Sequence, residues 1–420
     1  MLALPAEVEP LPVPQEYRGR RRIPNIDFPE TITTTAEFLA FIASRLGENP
    51  QLDELQKLAF AILQHTWLGP DVLQFVADNC LKSFSKVGWK EVFPYFRHSC
   101  DTSVYRDHRA IRPYRLKRSR LPLSYHKYIA SQLDISRRTL GRMQTLENES
   151  VKQMYMAPIP SLLLSLFSGR LLKLPEHTLK GRITTADRCE FSVTLQGVVM
   201  LLFIEFKDSL AGSDAKHSDV IAQIIAEADG ADLFNQANES DGVAIHAILT
   251  DGRAFEFYVM DFCQWRVLRG VGSPVEAVPW IDPHQICLPS SERAPDYIPL
   301  LKRLVEVIFD TILMAYINGL AAQKGFSERC ARAQVYELGE IYLPRRSTTF
   351  WDEAYTRAIN ALTVFRHAHG ERLVDKMNAE RLAWVGLQLL EDSVLSIPHP
   401  EMDWSLLDGW DAREDALLEV

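Results

Sequence analysis

The 420-residue chain has no Cys-x-x-Cys pair and no Cys/His cluster with metal spacing. Its six cysteines (Cys80, Cys100, Cys189, Cys263, Cys287, Cys330) are scattered, which excludes a zinc-finger framework and reads as reduced thiols of an intracellular protein, nuclear or cytoplasmic. P-loop, dinucleotide-type glycine pattern, His-based metal motif and tandem repeat are all missing. A net charge of -9 excludes a globally basic coat for nucleic acid and leaves room only for a local basic groove. No apolar run is expected to cross a bilayer, since the longest candidate, residues 307–317, is interrupted by Asp310. The opening Met-Leu-Ala-Leu-Pro-Ala-Glu has no charged start followed by a long apolar run, so no signal peptide is expected.

What is present is 47% hydrophobic residues, enough for sizeable cores in two or three domains. The chain is organised around residues 198–207, Val-Val-Met-Leu-Leu-Phe-Ile-Glu-Phe-Lys. An apolar run of this kind predicts a strand buried on both faces. Alternation puts Glu205 and Lys207 on one face and Phe206 on the other, so the strand ends in an ion site or simply leaves the core into water. Upstream, residues 183–195 alternate, with Asp187 on the face of Cys189, Phe191, Val193 and Leu195. A carboxylate there requires a partner or a metal. Gln196-Gly197 marks the turn: a three-residue loop over 195–197 sets Asp187 across from Glu205, whereas a two-residue loop sets it across from Phe206.

Residues 218–230 predict a helix with Ser218 as N-cap, Asp219 in the first turn and Gly230 as its stop. Gln223 and Glu227, four apart, share one edge of it, facing either a polar site or water. Strand-like segments at 243–249 and 254–259 flank Thr250-Asp-Gly-Arg253, a hairpin signal.

An Asp on one strand, Glu205-Phe206-Lys207 closing the next, a crossover helix with Gln223 and a hairpin at Thr250-Asp-Gly252 together resemble the PD-(D/E)XK, or restriction-endonuclease-like, nuclease superfamily. More narrowly they look like its fungal members with helical flanking regions. The resemblance covers residues 145–270, and its weight lies in the order and spacing of motifs. One departure is Ala186, where the family has Pro before the Asp. The resemblance implies an α/β fold: a central mixed sheet flanked by helices, with α-helical N- and C-terminal regions. It implies that Asp187, Glu205 and the backbone carbonyl of Phe206 hold Mg²⁺ or Mn²⁺, an ion suited to oxygen ligands, which polarises the scissile phosphate and activates a water. Lys207 then orients that water or neutralises developing charge, and Gln223 supports Lys207 or touches the phosphate backbone. Glu149 is the nearest candidate for a further metal contact. The implied partner is nucleic acid, DNA before RNA.

Around this core, residues 1–30 read as a Pro-rich arm with Arg18-Gly-Arg-Arg-Arg22, and 31–104 as a helical region. Residues 105–144 concentrate positive charge, and Arg112, Arg115, Lys117 and Arg118, interleaved with Tyr105 and Tyr114, suit phosphates and unpaired bases. A charged linker paired with acidic surface is the plainer alternative. Residues 146–169 predict two helices broken at Pro158 and Pro160. A linker is expected at 271–296. Residues 297–420 predict helices at 297–320, 351–367 and 373–393, which could cover the sheet or build a homodimer, before an acidic tail. Three readings compete: an active nuclease, an inactive nuclease-fold module for nucleic-acid or protein binding, and an unrelated protein in which Glu205 and Lys207 form an ordinary ion pair.

Overall fold

In a computed structural model, the residues described are 83–96, 108–146, 148–182, 184, 187–210, 214–240, 242–271, 286–288, 294–338 and 346–397. The Pro-rich arm, its basic cluster, most of the expected N-terminal helical region, most of the 271–296 linker and the acidic tail lie outside them.

Helix α1 (Trp89–Phe96) precedes an edge strand β1 (Arg112–Arg115) and helices α2 (Leu123–Leu140), α3 (Glu149–Met156) and α4 (Pro158–Ser165). Strands β2 (Leu171–Leu179), β3 (Asp187–Leu195) and β4 (Val199–Phe206) follow, then helix α5 (Asp214–Ala237). After β5 (Ile245–Thr250), β6 (Ala254–Asp261), β7 (Arg266–Val271) and the two-residue β8 (Ile286–Cys287) come α6 (Ala294–Leu338), α7 (Arg346–Glu371) and α8 (Lys376–Ser396). The strands form one mixed sheet, β1-β7-β6-β5-β4-β3-β2, with β8 pairing β6. This is the α/β architecture anticipated: a mixed sheet flanked by helices, with a helical C-terminal region.

β4 is central and buried at every position. Such a strand needs cover on both sides. On one face lies α6, whose Gly319 packs so closely that a Cβ would stand 2.8 Å from Leu201 and 3.2 Å from Leu195. On the other lies α5, nearly all of whose side chains from Ile221 onward are buried. The helix does not stop at Gly230. That glycine instead permits close approach, since a Cβ would meet Leu179 at 3.1 Å and Phe84 at 3.2 Å. Pro158 and Pro160 do open α4, the first at a position where a missing N–H costs nothing. Likewise Gly252, at φ 85°, turns β5 into β6, with Thr250 paired to Phe255.

The β3–β4 register differs from both expectations. Leu195 pairs Val199 and Thr194 pairs Met200, but Val193 pairs Leu202 and Ser192 pairs Phe203. Leu201 is an extra residue, a β-bulge, and a bulge changes which residues share a face. Continued at the same register, position 190 rather than 187 stands opposite Glu205. Asp187 itself pairs Leu179 on β2.

Three further expectations change. The described part of the 105–144 segment, from residue 108, holds a parallel edge strand on β7 followed by an 18-residue helix, in place of a linker. Helix α6 contains a stretch, Tyr297–Arg329, long and apolar enough to cross a membrane by length and composition, and most of it is packed inside the protein. Gly370 lies within α7, and the break before α8 comes at Asp375, whose side chain accepts from Met377 N and Asn378 N.

Candidate active site

Strands β4, β5, β7 and β1 run parallel to one another, so their carboxyl ends meet at one edge of the sheet. Glu205 and Lys207 are at that edge. The same edge receives the start of β3, hence the backbone of Asp187. Lys207 continues the ladder, its N–H donating to Thr250 O at 2.9 Å.

Glu205 is 2% exposed. Its Oε1 accepts from Lys207 Nζ at 2.7 Å and from Gln223 Nε2 at 2.9 Å. Gln223 Oε1 in turn accepts from Lys207 Nζ at 3.0 Å, and Gln223 Nε2 also donates to Glu227 Oε1 at 2.7 Å. The structure therefore brings Glu205, Lys207 and Gln223 into mutual contact and adds Glu227, one turn beyond Gln223 on α5. Glu205 Oε2 is buried and accepts no hydrogen bond among the described residues. Burial raises the Glu205 carboxyl above the usual range, against the pull of Lys207, and nearby Glu149 pushes in the same direction as burial. Burial alone would lower the Lys207 ammonium, but Glu205, Glu227 and Glu149 outweigh it and raise it. An anionic oxygen left bare beside an ammonium, at the exit of a buried strand, is an arrangement that a cation or a phosphate-bearing ligand completes.

Helix α3 holds the loop that leaves this site. Glu149 Oε1 accepts from Asp208 N at 3.0 Å, and Lys152 Nζ donates to Asp208 O. Glu149 and Lys152 are three residues apart on one helix face, so they grip both polar groups of one peptide residue just after Lys207. In the sequence Lys152 reads as part of a basic cluster with Arg137, Arg138 and Arg142 that extends a surface for phosphates; in the structure it is buried. Arg182 carries no signal in the sequence; it pairs with Asp229 at 2.6 Å and with Asp232 on α5, and lies over the Phe262 and Trp265 rings.

The side chain of Asp187 lies outside the described residues. Among the described residues no three His, Cys, Asp or Glu side chains are grouped so as to hold a metal ion. The bare Glu205 oxygen is of the kind a hard cation takes, while the groups that touch the carboxylate in the structure are Lys207 Nζ and Gln223 Nε2.

The basic residues divide. Arg112, Arg115 and Lys117 are exposed on and just after β1. Arg118 turns inward, its Nη2 2.6 Å and its Nε 3.0 Å from Glu306 Oε2. Its charge belongs to the packing of α6, not to a surface for phosphates.

A second buried polar group lies on the same sheet face as Glu205. Glu256 accepts from Arg269 Nη2 at 2.9 Å and from the Tyr258 hydroxyl, with His217 Nε2 3.2 Å away. Leu249 pairs with both Glu205 and Glu256, so the two acids stand two strands apart, about 10 Å.

No family model and no curated protein matches this chain. Among solved structures, one described as a cryo-EM structure of a DrdV–DNA complex aligns over 66% of this chain and 27% of that one, at a TM-score of 0.24 and 12% identity. The chain thus spans about a quarter of that neighbour's length, and so slight a likeness carries no argument. Fold and site define a mixed α/β protein with an acid–lysine–amide cluster at the carboxyl ends of parallel strands, where open α/β sheets place their ligands.

Proposed function

We propose that this protein is a metal-dependent nuclease of restriction-endonuclease-like type, hydrolysing phosphodiester bonds of nucleic acid at Glu205 and Lys207. The observation that carries the reading is the bare Glu205 Oε2, buried beside a lysine that a glutamine holds in place. Mg²⁺ or Mn²⁺ would be held by Asp187, Glu205 and the Phe206 carbonyl, and when bound would withdraw charge from the scissile phosphate. Lys207 has three N–H groups, two of them engaged by Glu205 and Gln223. The third is available to a phosphate oxygen, where an ammonium offsets the negative charge that grows as water attacks. Water adds across the P–O ester bond, its oxygen to phosphorus and a proton to the departing alkoxide. Exposed Arg112, Arg115 and Lys117 would neutralise neighbouring phosphates.

The test is an assay with Mg²⁺ or Mn²⁺ against single- and double-stranded DNA and RNA. Cleavage by the wild type should fall by roughly 10²–10³-fold in Glu205→Ala and Lys207→Ala, with unchanged melting behaviour, and should cease on chelation. Asp187→Ala and Glu190→Ala belong in the same series, because the register sets position 190 opposite Glu205. Cleavage that survives Glu205→Ala sinks the proposal.

A further inference from the structure

Which end of the Gln223 amide faces Lys207 decides whether the glutamine holds the lysine or repels it, because one end accepts and the other donates. In the arrangement found, both N–H groups of Nε2 are engaged by carboxylates, Glu205 at 2.9 Å and Glu227 at 2.7 Å, and the carbonyl is turned to Lys207 Nζ at 3.0 Å. A flipped amide would set its carbonyl against two carboxylates and its NH₂ against an ammonium, losing all three bonds. Glu205 does not fix the orientation unaided, since its Oε1 is already shared with Lys207. The second acceptor is Glu227, one helical turn along α5 and 0% exposed. It lies on a helix whose neighbouring positions Ile224, Ile225, Ala226 and Ala228 are buried and apolar. Placing a carboxylate in such surroundings is costly unless hydrogen bonds compensate it.

Resting on the reading of Glu205 and Lys207 as the reactive pair, we infer that Glu227 is a positioning residue, a carboxylate closed off from solvent that locks the Gln223 amide with its carbonyl on Lys207. Besides the attraction its charge exerts on Lys207, its positioning effect passes through Gln223, and what it supplies there is a hydrogen-bond acceptor.

The experiment follows the Gln223 side-chain NH₂ by NMR in the full chain labelled with ¹⁵N-glutamine, without metal or substrate, the signal being assigned by its loss in Gln223→Ala. In the wild type these protons should exchange slowly with water. Glu227→Ala, or Glu227→Met where the alanine variant fails to fold, should speed that exchange about tenfold or more. It should also lower kcat about tenfold with KM within about twofold. Glu227→Gln keeps an acceptor oxygen and should restore both to within about threefold of the wild type. Unchanged exchange in Glu227→Met, or a Glu227→Gln variant as impaired as Glu227→Met, overturns the inference. Because exchange is read without turnover, a wild type that cleaves nothing would sink the nuclease reading while the amide signal still decides the role of Glu227.

Discussion

Glu205, Glu256 and Glu306 are all buried, yet their acidities diverge. Burial pushes each carboxyl up. At Glu256 this is outweighed by His217, Arg269 and Tyr258, and at Glu306 by His369, Arg118, His126 and Lys302, so both are held down at about 2. Glu205 keeps one oxygen without a donor, and its carboxyl is raised instead. Glu306 Oε1 likewise accepts no hydrogen bond among the described residues, so what separates the two acids is the set of basic groups gathered around Glu306. Two histidines complete the acid response: burial lowers His126 and His246 to about 4. A group whose folded pKa is depressed below its unfolded value takes its proton sooner in the unfolded chain. His126 and His246 therefore make stability fall as pH drops from 6.5 towards 4, by at most roughly 3 kcal/mol each. Glu256 and Glu306 contribute stability that is complete above 4.5 and is lost towards pH 2. Chemical denaturation across pH should show two successive losses. His126→Gln with His246→Gln should shrink the first, leaving the part that half-buried His369 contributes, and lessen the second slightly, because His126 is one of the groups that hold Glu306 down. A single loss, starting only below pH 4.5, would contradict this assignment. Arg118 belongs to the same framework. Arg118→Ala should cost roughly 3 kcal/mol, read as a lower denaturation midpoint, because it strips a donor from buried Glu306.

At the level of elements, the bulge in β4 decides the site. The alternating pattern of β3 was legible in the sequence, as were the buried central strand, the α3–α4 break at Pro158 and the Thr250–Asp–Gly252 hairpin. The extra residue at Leu201 was not, because a bulge leaves no periodic trace where both faces are apolar. What stabilises that part of β4 comes from elsewhere in the chain: Asn235 Oδ1 accepts from Met200 N at 2.6 Å and its Nδ2 donates to Met200 O at 2.8 Å. The asparagine stands where a strand partner would. Asn235→Leu should leave two buried backbone groups without partners and cost roughly 3 kcal/mol, measured by denaturant unfolding; a change under about 0.5 kcal/mol would show that Asn235 is dispensable. The linker reading of the basic segment fails for a related reason. Arg112-Pro-Tyr-Arg115 is short and charged, which suits an edge strand that must not recruit another strand, and such edges resemble linkers when only composition is read.

For the whole molecule, strand direction sets charge. β1 lies four strand positions from β4, about 19 Å across the sheet, and its carboxyl end points to the same edge as Glu205 and Lys207. Exposed Arg115 and Lys117 thus lie along the same edge as the site, and exposed Arg112 at the start of the same short strand, despite a net charge of -9. If they meet phosphates, replacing all three with Ala should reduce the slope of log affinity against log salt by about 2–3, without altering the melting temperature. An unchanged slope with increased aggregation would assign them to edge protection. The sequence by itself determined the apolar strand, the helix break at Pro158, the Thr250-Asp-Gly252 turn and the Glu-x-Lys pair, because these follow from local periodicity, from turn chemistry and from the two-residue repeat of a strand. Only the tertiary structure decided the register opposite Glu205, the inward turn of Arg118, and the recruitment of Gln223, Glu227, Glu149 and Lys152. Each of those depends on contacts between residues distant in the chain, where one extra residue or one buried counter-charge changes the outcome and no local pattern records it.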